Sequence, residues 1–188
     1  LGDVYKRQLP HITESGVKIM SMNMLLPNAT DPVLWRGPVI SGVVKQFWED
    51  VQWGDVDFLF VDMPPGTGDV PLTVFQSLPI NGILIVSTPQ SLVSMIVDKA
   101  MNMAQMMQVP VLGMVENMRF LRCPDCGKEI PLFGSDDHVD NHAVPVLERI
   151  PLDPTVAAAC DAGKLEQAEI DYLAKTAVML TETFGKKQ

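Results

Sequence analysis

Residues 57–69 read DFLFVDMPPGTGD, and this stretch decides the fold. The apolar run 58–61 lies between an acidic residue and a turn, which is typical of a strand buried on both faces of a parallel sheet. Asp62 follows directly, so its carboxylate is predicted at the carboxyl end of the strand, where open α/β sheets bind ligands. A carboxylate there can hold Mg²⁺ directly or through a water. Gly66 and Gly68 lack a Cβ, so their backbone can approach a phosphate closely.

The same residues also have a plainer interpretation. Every buried strand must end somewhere, and Asp, Pro and Gly are ordinary strand terminators. The stretch is only a partial nucleotide-binding motif. On its own it therefore leaves both nucleotide chemistry and a simple strand end open.

Apolar patterns elsewhere alternate between the periods of strands and helices. Strands are predicted at 16–23, 82–88, 111–115 and 144–150, and helices at 38–51, 70–77, 91–108 and 165–184. Such alternation predicts an α/β fold with a doubly wound, mostly parallel sheet and flanking helices. The third helix is rich in methionine, which could form a soft docking surface, but the helical spacing favours core packing.

Composition restricts the partners and the compartment. The 188 residues carry a net charge of -9 with a pI near 4.7, which argues against nucleic acid or an anionic membrane as a partner. No apolar run reaches the ~20 residues of a membrane span, and the start shows no secretory signal pattern. Three cysteines, two of them in a CxxC, suit a reducing compartment, so we expect a cytoplasmic protein.

Cys123 and Cys126 have the spacing of a metal knuckle, in which both thiolates of a tight turn face one ion. A tetrahedral site or a cluster usually needs four ligands, so two must come from elsewhere. His138 and His142 complete a C-x2-C-x11-H-x3-H pattern close to a zinc-finger spacing, although the intervening proline and glycine argue against a finger. An empty or oxidised CxxC is a third possibility. Cys160, within VAAACDAG, is expected to be a small buried hydrophobe.

Six short motifs together carry a resemblance to a known family. They are WRGP at 35–38, VDMPPGTGD at 61–69, IVSTPQ at 85–90, GMVENM at 113–118, CPDCG at 123–127 and IPLDP at 150–154. In this order they resemble the Mrp family, deviant P-loop ATPases related to MinD and ParA that carry iron-sulfur clusters. The resemblance runs from about residue 16 to about residue 163.

The resemblance implies a function and a set of site residues. The complete protein would bind and hydrolyse ATP with Mg²⁺, and would receive a cluster from assembly proteins and hand it to apo iron-sulfur proteins. Asp62 would be the magnesium-associated catalytic acid, Gly66 would sense the γ-phosphate through its backbone, and Asn117 would read the adenine edge. A [4Fe-4S] cluster would bridge Cys123 and Cys126 of two subunits in a homodimer. The alternative for Asn117 is a loop amide making local turn bonds.

Two other motif residues, Arg36 and Asp69, receive no chemistry from the resemblance. Asp69 is expected at most to cap the following helix. A MinD- or ParA-like positioning ATPase is a further alternative, but it would require a membrane-targeting helix or a basic face.

The phosphate-binding loop of such ATPases is missing from the sequence. A P-loop reads G-x-x-x-x-G-K-[ST], and none of the Gly-Lys pairs beginning at 127, 163 and 185 is followed by Ser or Thr. We therefore expect an amino-terminally truncated chain, with a non-native leader at 1–8 and a partial domain at 9–188. The alternative is an ATPase-inactive dimeric scaffold that kept its metal site. Loss of the P-loop strand would leave open sheet edges and an aggregation-prone chain.

Overall fold

The structure is a computed structural model that describes residues 8–26, 28, 30, 37–133 and 144–185. The chain divides into two compact units, Leu1–Pro79 and Ile80–Gln188. In the described part of the chain, no helix combines the length and apolar character needed to cross a membrane.

The first unit begins with a small antiparallel pair, β1 (His11–Ile12) and β2 (Lys18–Ile19). Its turn is closed by the amide of Thr13, which donates to the carbonyl of Val17 at 2.9 Å. The strand predicted at 16–23 is thus only two residues long. It ends early because Ser21 caps a 3-10 turn at Met22–Leu25 by accepting a hydrogen bond from the amide of Asn23.

Two helices, α1 (Gly37–Glu49) and α2 (Asp69–Ser77), pack together in the same unit and confirm the helices predicted there. A 2.8 Å hydrogen bond joins the hydroxyls of Ser41 and Thr73 between them. Three valines are buried in the described part of this unit, Val43, Val51 and Val74, and Pro71 of α2 is buried with them. Burial of one helix face against the other holds this pair together.

The strand predicted at 58–61 is wrong: the backbone there belongs to no strand, and Phe60 and Val61 are 70% and 39% exposed. The rings of Phe58 and Phe60 stack on each other instead, with centroids 6.3 Å apart. A strand buried on both faces needs neighbouring strands and covering layers. Within the described residues no strand pairs with 58–61, so high β propensity alone does not produce a ladder.

The second unit contains a mostly parallel sheet. Its strands are β3 (Ile83–Ser87), β4 (Val111–Arg122), β5 (Glu129–Pro131) and β6 (Val146–Pro151). The long strand β4 pairs in parallel with β3 and with β6, and its last residues pair antiparallel with β5. This arrangement confirms the predicted α/β class and the three apolar strands, although β4 continues well beyond the predicted 111–115.

Helix α3 (Ser91–Met106) crosses between β3 and β4 and packs on the sheet. Ile85, Val97 and Met114 form the buried cluster, and Met101 is partly buried against it. The prediction that the methionines are core is wrong for Met95 and Met106, which are 57% and 84% exposed. These two lie about three helical turns apart on one face, roughly opposite Val97, so the sheet covers only the other face.

After β6 the chain forms α4 (Pro154–Asp161), which Asp153 caps. The Asp153 carboxylate accepts hydrogen bonds from the Thr155 amide at 2.8 Å and from the Tyr172 hydroxyl at 2.7 Å. These bonds, the one from Tyr172 most, lower the pKa of Asp153. Cys160 is exposed rather than buried as predicted, because α4 is short and has no buried residue.

The long helix predicted at 165–184 is also wrong. A 3-10 turn at Leu165–Gln167 is separated by extended backbone at Ala168 from the last helix, α5 (Ala174–Phe184). The break coincides with a capping interaction from β6. The Glu148 carboxylate accepts hydrogen bonds from the amides of Lys175 and Thr176, at 2.7 and 3.2 Å, which fixes the start of α5.

Candidate functional site

The CxxC forms a tight turn between β4 and β5. Cys123 follows β4 directly, and its amide donates to the carbonyl of Lys128 at 2.9 Å. Gly127 donates from its amide to the carbonyl of Cys123 at 2.9 Å and has a φ of 70°. A residue with a Cβ is disfavoured at that φ, so a glycine closes the turn. The tight turn that the CxxC predicts is therefore present, and its use as a metal knuckle stays a prediction.

Backbone amides in this turn favour the thiolate form of Cys123. The amide of Cys126 contributes most and the amide of Asp125 next, and both lower the pKa of the Cys123 thiol; the Cys126 side chain adds a smaller effect in the same direction. The thiolate is the form that binds metal and attacks electrophiles. A thiolate at Cys123 has the chemistry of a ligand for a soft metal.

Access and ligand number define what this turn can bind. Cys123 is half-buried, Cys126 is exposed, and both are free thiols. Across the hairpin, Arg122 and Glu129 form a 3.0 Å ion pair. No cluster of three or more His, Cys, Asp or Glu side chains suited to a metal ion occurs within residues 8–26, 28, 30, 37–133 and 144–185. The described hairpin itself therefore supplies two ligands, and two more would have to join them.

Three residues named from the sequence, Arg36, His138 and His142, lie outside the described residues. The intrachain zinc site that would use the two histidines accordingly stays a hypothesis.

Asn117 lies inside β4, whereas the sequence predicted it just after a strand. Its Oδ1 accepts a hydrogen bond from the amide of Met118 at 3.0 Å, and Met118 has a φ of 56°. The local turn bond named as the alternative role is therefore present. This bond commits one lone pair of the side-chain oxygen and leaves the Nδ2 group uninvolved in it, so the residue keeps donors for a ligand.

A buried charge cluster beside Asn117 escaped the sequence interpretation. Glu116 is 1% exposed, and its Oε2 accepts a hydrogen bond from Nε of Arg149 at 3.1 Å. Nε of Arg119, itself a buried residue, lies 3.6 Å from the same oxygen. Oε1 of Glu116 has no hydrogen-bond partner within the described part of the chain. A charged residue inside an apolar strand was the available signal, since such residues are rarely buried without partners.

The segment 62–69 forms the entry to α2 in the first unit. Asp62 is exposed, and Gly66 has a φ of 92° with open space within 4 Å of the point where a Cβ would lie, so backbone conformation rather than space calls for glycine. Gly68, not Asp69, is the N-cap of α2, which corrects the expected role of Asp69. Asp69 is instead the first helical residue, where a negative charge is favourable.

The sequence-predicted site residues thus fall into two groups. Asp62 and Gly66 belong to the first unit, and Asn117, Cys123 and Cys126 belong to the second. Within the second unit, one strand carries Asn117 and leads directly into the two cysteines.

Comparison with known proteins shows the family of this chain. Residues 3–183 match the family described as ParA, NUBPL iron-transfer P-loop NTPase. An iron-sulfur cluster carrier protein of Clostridium perfringens is 44% identical over 162 residues, covering 85% of this chain and 57% of the relative. One of Methanocaldococcus jannaschii is 44% identical over 158 residues, covering 82% and 54%.

A solved structure has a similar fold. It is a nucleotide-binding protein of Archaeoglobus fulgidus in complex with ADP, with Co found by PIXE. It is 38% identical with a TM-score of 0.73, covering 87% of this chain and 64% of its own. The chain spans about half the length of the curated relatives it matches. On the match across nearly its whole length, the chain belongs to the ParA family of NUBPL iron-transfer P-loop NTPases.

Proposed function

We propose that this chain is the cluster-holding part of an iron-sulfur cluster carrier. The observation that carries the proposal is the CxxC turn, in which backbone amides stabilise the Cys123 thiolate next to the exposed Cys126. Amide hydrogen bonds to sulfur and solvent access are also properties that tune cluster sites. An exposed turn suits a cluster that is cargo, because the recipient protein's thiolates must reach the iron to take it over.

The remaining ligands would come from a second copy of the chain. A [4Fe-4S] cluster is held by about four cysteine thiolates, and one hairpin offers two. A two-fold axis through the cluster would bring Cys123 and Cys126 of both copies together, since a symmetric dimer presents the same patch twice. The proposed assembly is a homodimer with one bridging cluster.

Nucleotide chemistry belongs to a protein that joins this chain to an upstream phosphate-binding loop. There Asp62 would hold Mg²⁺ as the magnesium-associated catalytic acid, and the Gly66 amide would meet the γ-phosphate at the entry to α2. Asn117 would donate from Nδ2 to the adenine edge. The ADP bound to the Archaeoglobus fulgidus relative supports a nucleotide at this fold. ATP binding and hydrolysis would then regulate how the cluster is held and handed on.

The carrier's partners follow from its cargo. It would take clusters from assembly proteins and deliver them to apo iron-sulfur proteins in the cytoplasm. The acidic composition, with a net charge of -9, supports protein partners over nucleic acid.

Metal analysis of anaerobically reconstituted protein tests the proposal. Iron, sulfide and zinc are measured in the wild type, in Cys126→Ser, and in Cys160→Ser, whose exposed thiol lies outside the turn and serves as the matched control. We expect about four irons and four sulfides per two chains in the wild type and in Cys160→Ser, and loss of both in Cys126→Ser. About one zinc per chain without iron would contradict the carrier function and favour a structural zinc knuckle.

A further inference from the structure

Strand β4 is interrupted by a bulge between Glu116 and Phe120. Its pairing with β6 runs from Glu116 opposite Arg149 to Phe120 opposite Pro151, so residues 117–119 face a single residue of β6, Ile150. Met118, within this bulge, has a φ of 56°, in the left-handed region that non-glycine residues rarely adopt. A bulge bends its strand and redirects the residues beyond it. The direction of the hairpin after residue 119 therefore depends on how this bulge is held.

The buried charge cluster closes the bulge from both ends. Glu116 precedes the bulge and Arg119 ends it, and their side chains meet with Nε of Arg119 3.6 Å from Oε2 of Glu116. Arg149 reaches the same oxygen from β6 at 3.1 Å. Glu116 and Arg119 are 1% and 6% exposed, so solvent and salt screen their interaction weakly. Removing the carboxylate would take away the buried anion that lies 3.6 Å from Arg119, which is unfavourable.

Arg119 connects this cluster to the cysteine hairpin through its backbone. Its carbonyl accepts a hydrogen bond from the amide of Leu132 at 3.3 Å, just beyond β5. From Phe120 onward, β4 pairs with β5, and Cys123 follows within the same hairpin. A shift of Arg119 would therefore move the base of the hairpin that carries both thiols.

We propose that Glu116 is a positioning residue for the cluster: through Arg119 and Arg149 it fixes the direction in which the hairpin presents Cys123 and Cys126. The effect on the cluster rests on the proposed carrier function, whereas the effect of Glu116 on the hairpin can be measured without any metal. In a bridged dimer two hairpins must meet with their sulfurs in cluster geometry, so a loosened bulge would release the cluster sooner. Asn117 is the first bulged residue, and its Oδ1 accepts a hydrogen bond from the amide of Met118 within the bulge.

Hydrogen exchange of single amides in the whole chain tests the positioning without any metal. The reporters are the hairpin amides of Cys123 and Leu132, and the amide of Met114, which bonds to Pro145 on the other side of the bulge. In Glu116→Gln we expect exchange of the two hairpin amides to quicken about tenfold relative to that of Met114, a factor that corresponds to about 1.4 kcal/mol. Release of a reconstituted cluster to a chelator should quicken to a similar extent.

Two control variants separate positioning from general destabilisation. Glu129→Gln removes the exposed ion pair with Arg122 in the same hairpin, and it should change the exchange and the release by less than about twofold. Val97→Ala weakens the core cluster beneath the sheet, and it should quicken exchange at Met114 at least as much as at the hairpin. Equal acceleration of cluster release in Val97→Ala and Glu116→Gln, at matched thermal stability, would overturn the positioning role.

If Glu116→Gln does not fold, a second variant still tests the positioning role. Arg149 is about half exposed, so Arg149→Met removes the 3.1 Å bond without leaving a large hole, and it should quicken hairpin exchange in the same sense. Wild-type exchange rates at Cys123 and Leu132 in both variants would refute the proposal. The two proposals fail in distinguishable ways. If the wild type binds no iron, the carrier function is refuted, and hydrogen exchange still tests the positioning role of Glu116. If the wild type binds the cluster and the variants exchange and release it at wild-type rates, only the positioning role is refuted.

Discussion

The cysteine hairpin and the segment 57–69 both carry functional motifs, and the chain supports them very differently. The hairpin continues β4, which pairs with β3 and β6 and whose Met114 is 1% exposed. Residues 58–61 lie in no ladder, and Phe60 is 70% exposed. A motif on a strand keeps its geometry only where neighbouring strands hold that strand. The difference predicts that the hairpin is a formed site and that 57–69 depends on further pairing.

The largest expected effect is the loss of stability when a large side chain is truncated in β4 rather than in the segment 57–69. Met114→Ala removes a fully buried side chain of β4 and should lower the free energy of unfolding of the second unit by about 2–5 kcal/mol. Phe60→Ala, in the unpaired segment, should change stability by less than about 0.5 kcal/mol. Urea unfolding of both variants measures this. A loss of several kcal/mol in Phe60→Ala would break the comparison.

A smaller effect comes from the carboxylate that joins β6 to α5. Glu148→Ala removes the acceptor for two amides at the start of α5 and should cost about 1–2 kcal/mol, because orphaned amides lose their cap. The matched control is Glu182→Ala, an exposed residue near the other end of that helix, which should cost less than about 0.5 kcal/mol. Equal costs in urea unfolding would show that Glu148 does not cap α5.

Two glycines with positive φ, one in the cysteine hairpin and one in the segment 57–69, allow the same comparison of the two regions. Gly127 closes the cysteine turn at φ 70° through a backbone hydrogen bond, so Gly127→Ala should destabilise the second unit by about 1–2 kcal/mol. Gly66, at φ 92°, is also strained by a Cβ, but its segment belongs to no ladder, so Gly66→Ala should cost less than Gly127→Ala, about 0.5–1 kcal/mol. Chemical denaturation of the two variants gives the comparison, and a reversed order would contradict it.

The smallest expected effect concerns the pH dependence of thiol reactivity. Amides of Cys126 and Asp125 lower the pKa of Cys123, so its thiolate persists to lower pH than that of an ordinary thiol. In a Cys126→Ser, Cys160→Ser double variant, which keeps both amides, the alkylation rate of Cys123 should fall with decreasing pH at a midpoint below that of the urea-unfolded chain. Identical midpoints in the folded and unfolded chain would show that the turn does not stabilise the thiolate.

Much of the second unit could be predicted from the sequence because its signals are local. Apolar runs mark β3 and the start of β4, and the glycine after CPDC marks the turn that brings Cys123 and Cys126 together. These features depend on residues close in the chain, which periodicity and turn chemistry describe well.

The sequence-based predictions that are wrong concern residues whose structure depends on partners distant in the chain. Nothing near 58–61 indicates that no strand in the described part of the chain pairs with it, and nothing near Ala174 indicates that Glu148, from β6, sets the start of α5. The buried Glu116 bonds to Arg149, which lies 33 residues away in the sequence. Tertiary context overrides local propensity at each of these positions.

The central claim is that two copies of the cysteine hairpin hold one cluster, and native mass spectrometry of the anaerobically reconstituted chain tests it most directly. The claim predicts a dimer whose mass exceeds that of two chains by one four-iron, four-sulfide cluster, and which dissociates to bare monomers in Cys126→Ser. Monomers that each carry one zinc, or a dimer that persists unchanged without the cluster and in the variant, would contradict it.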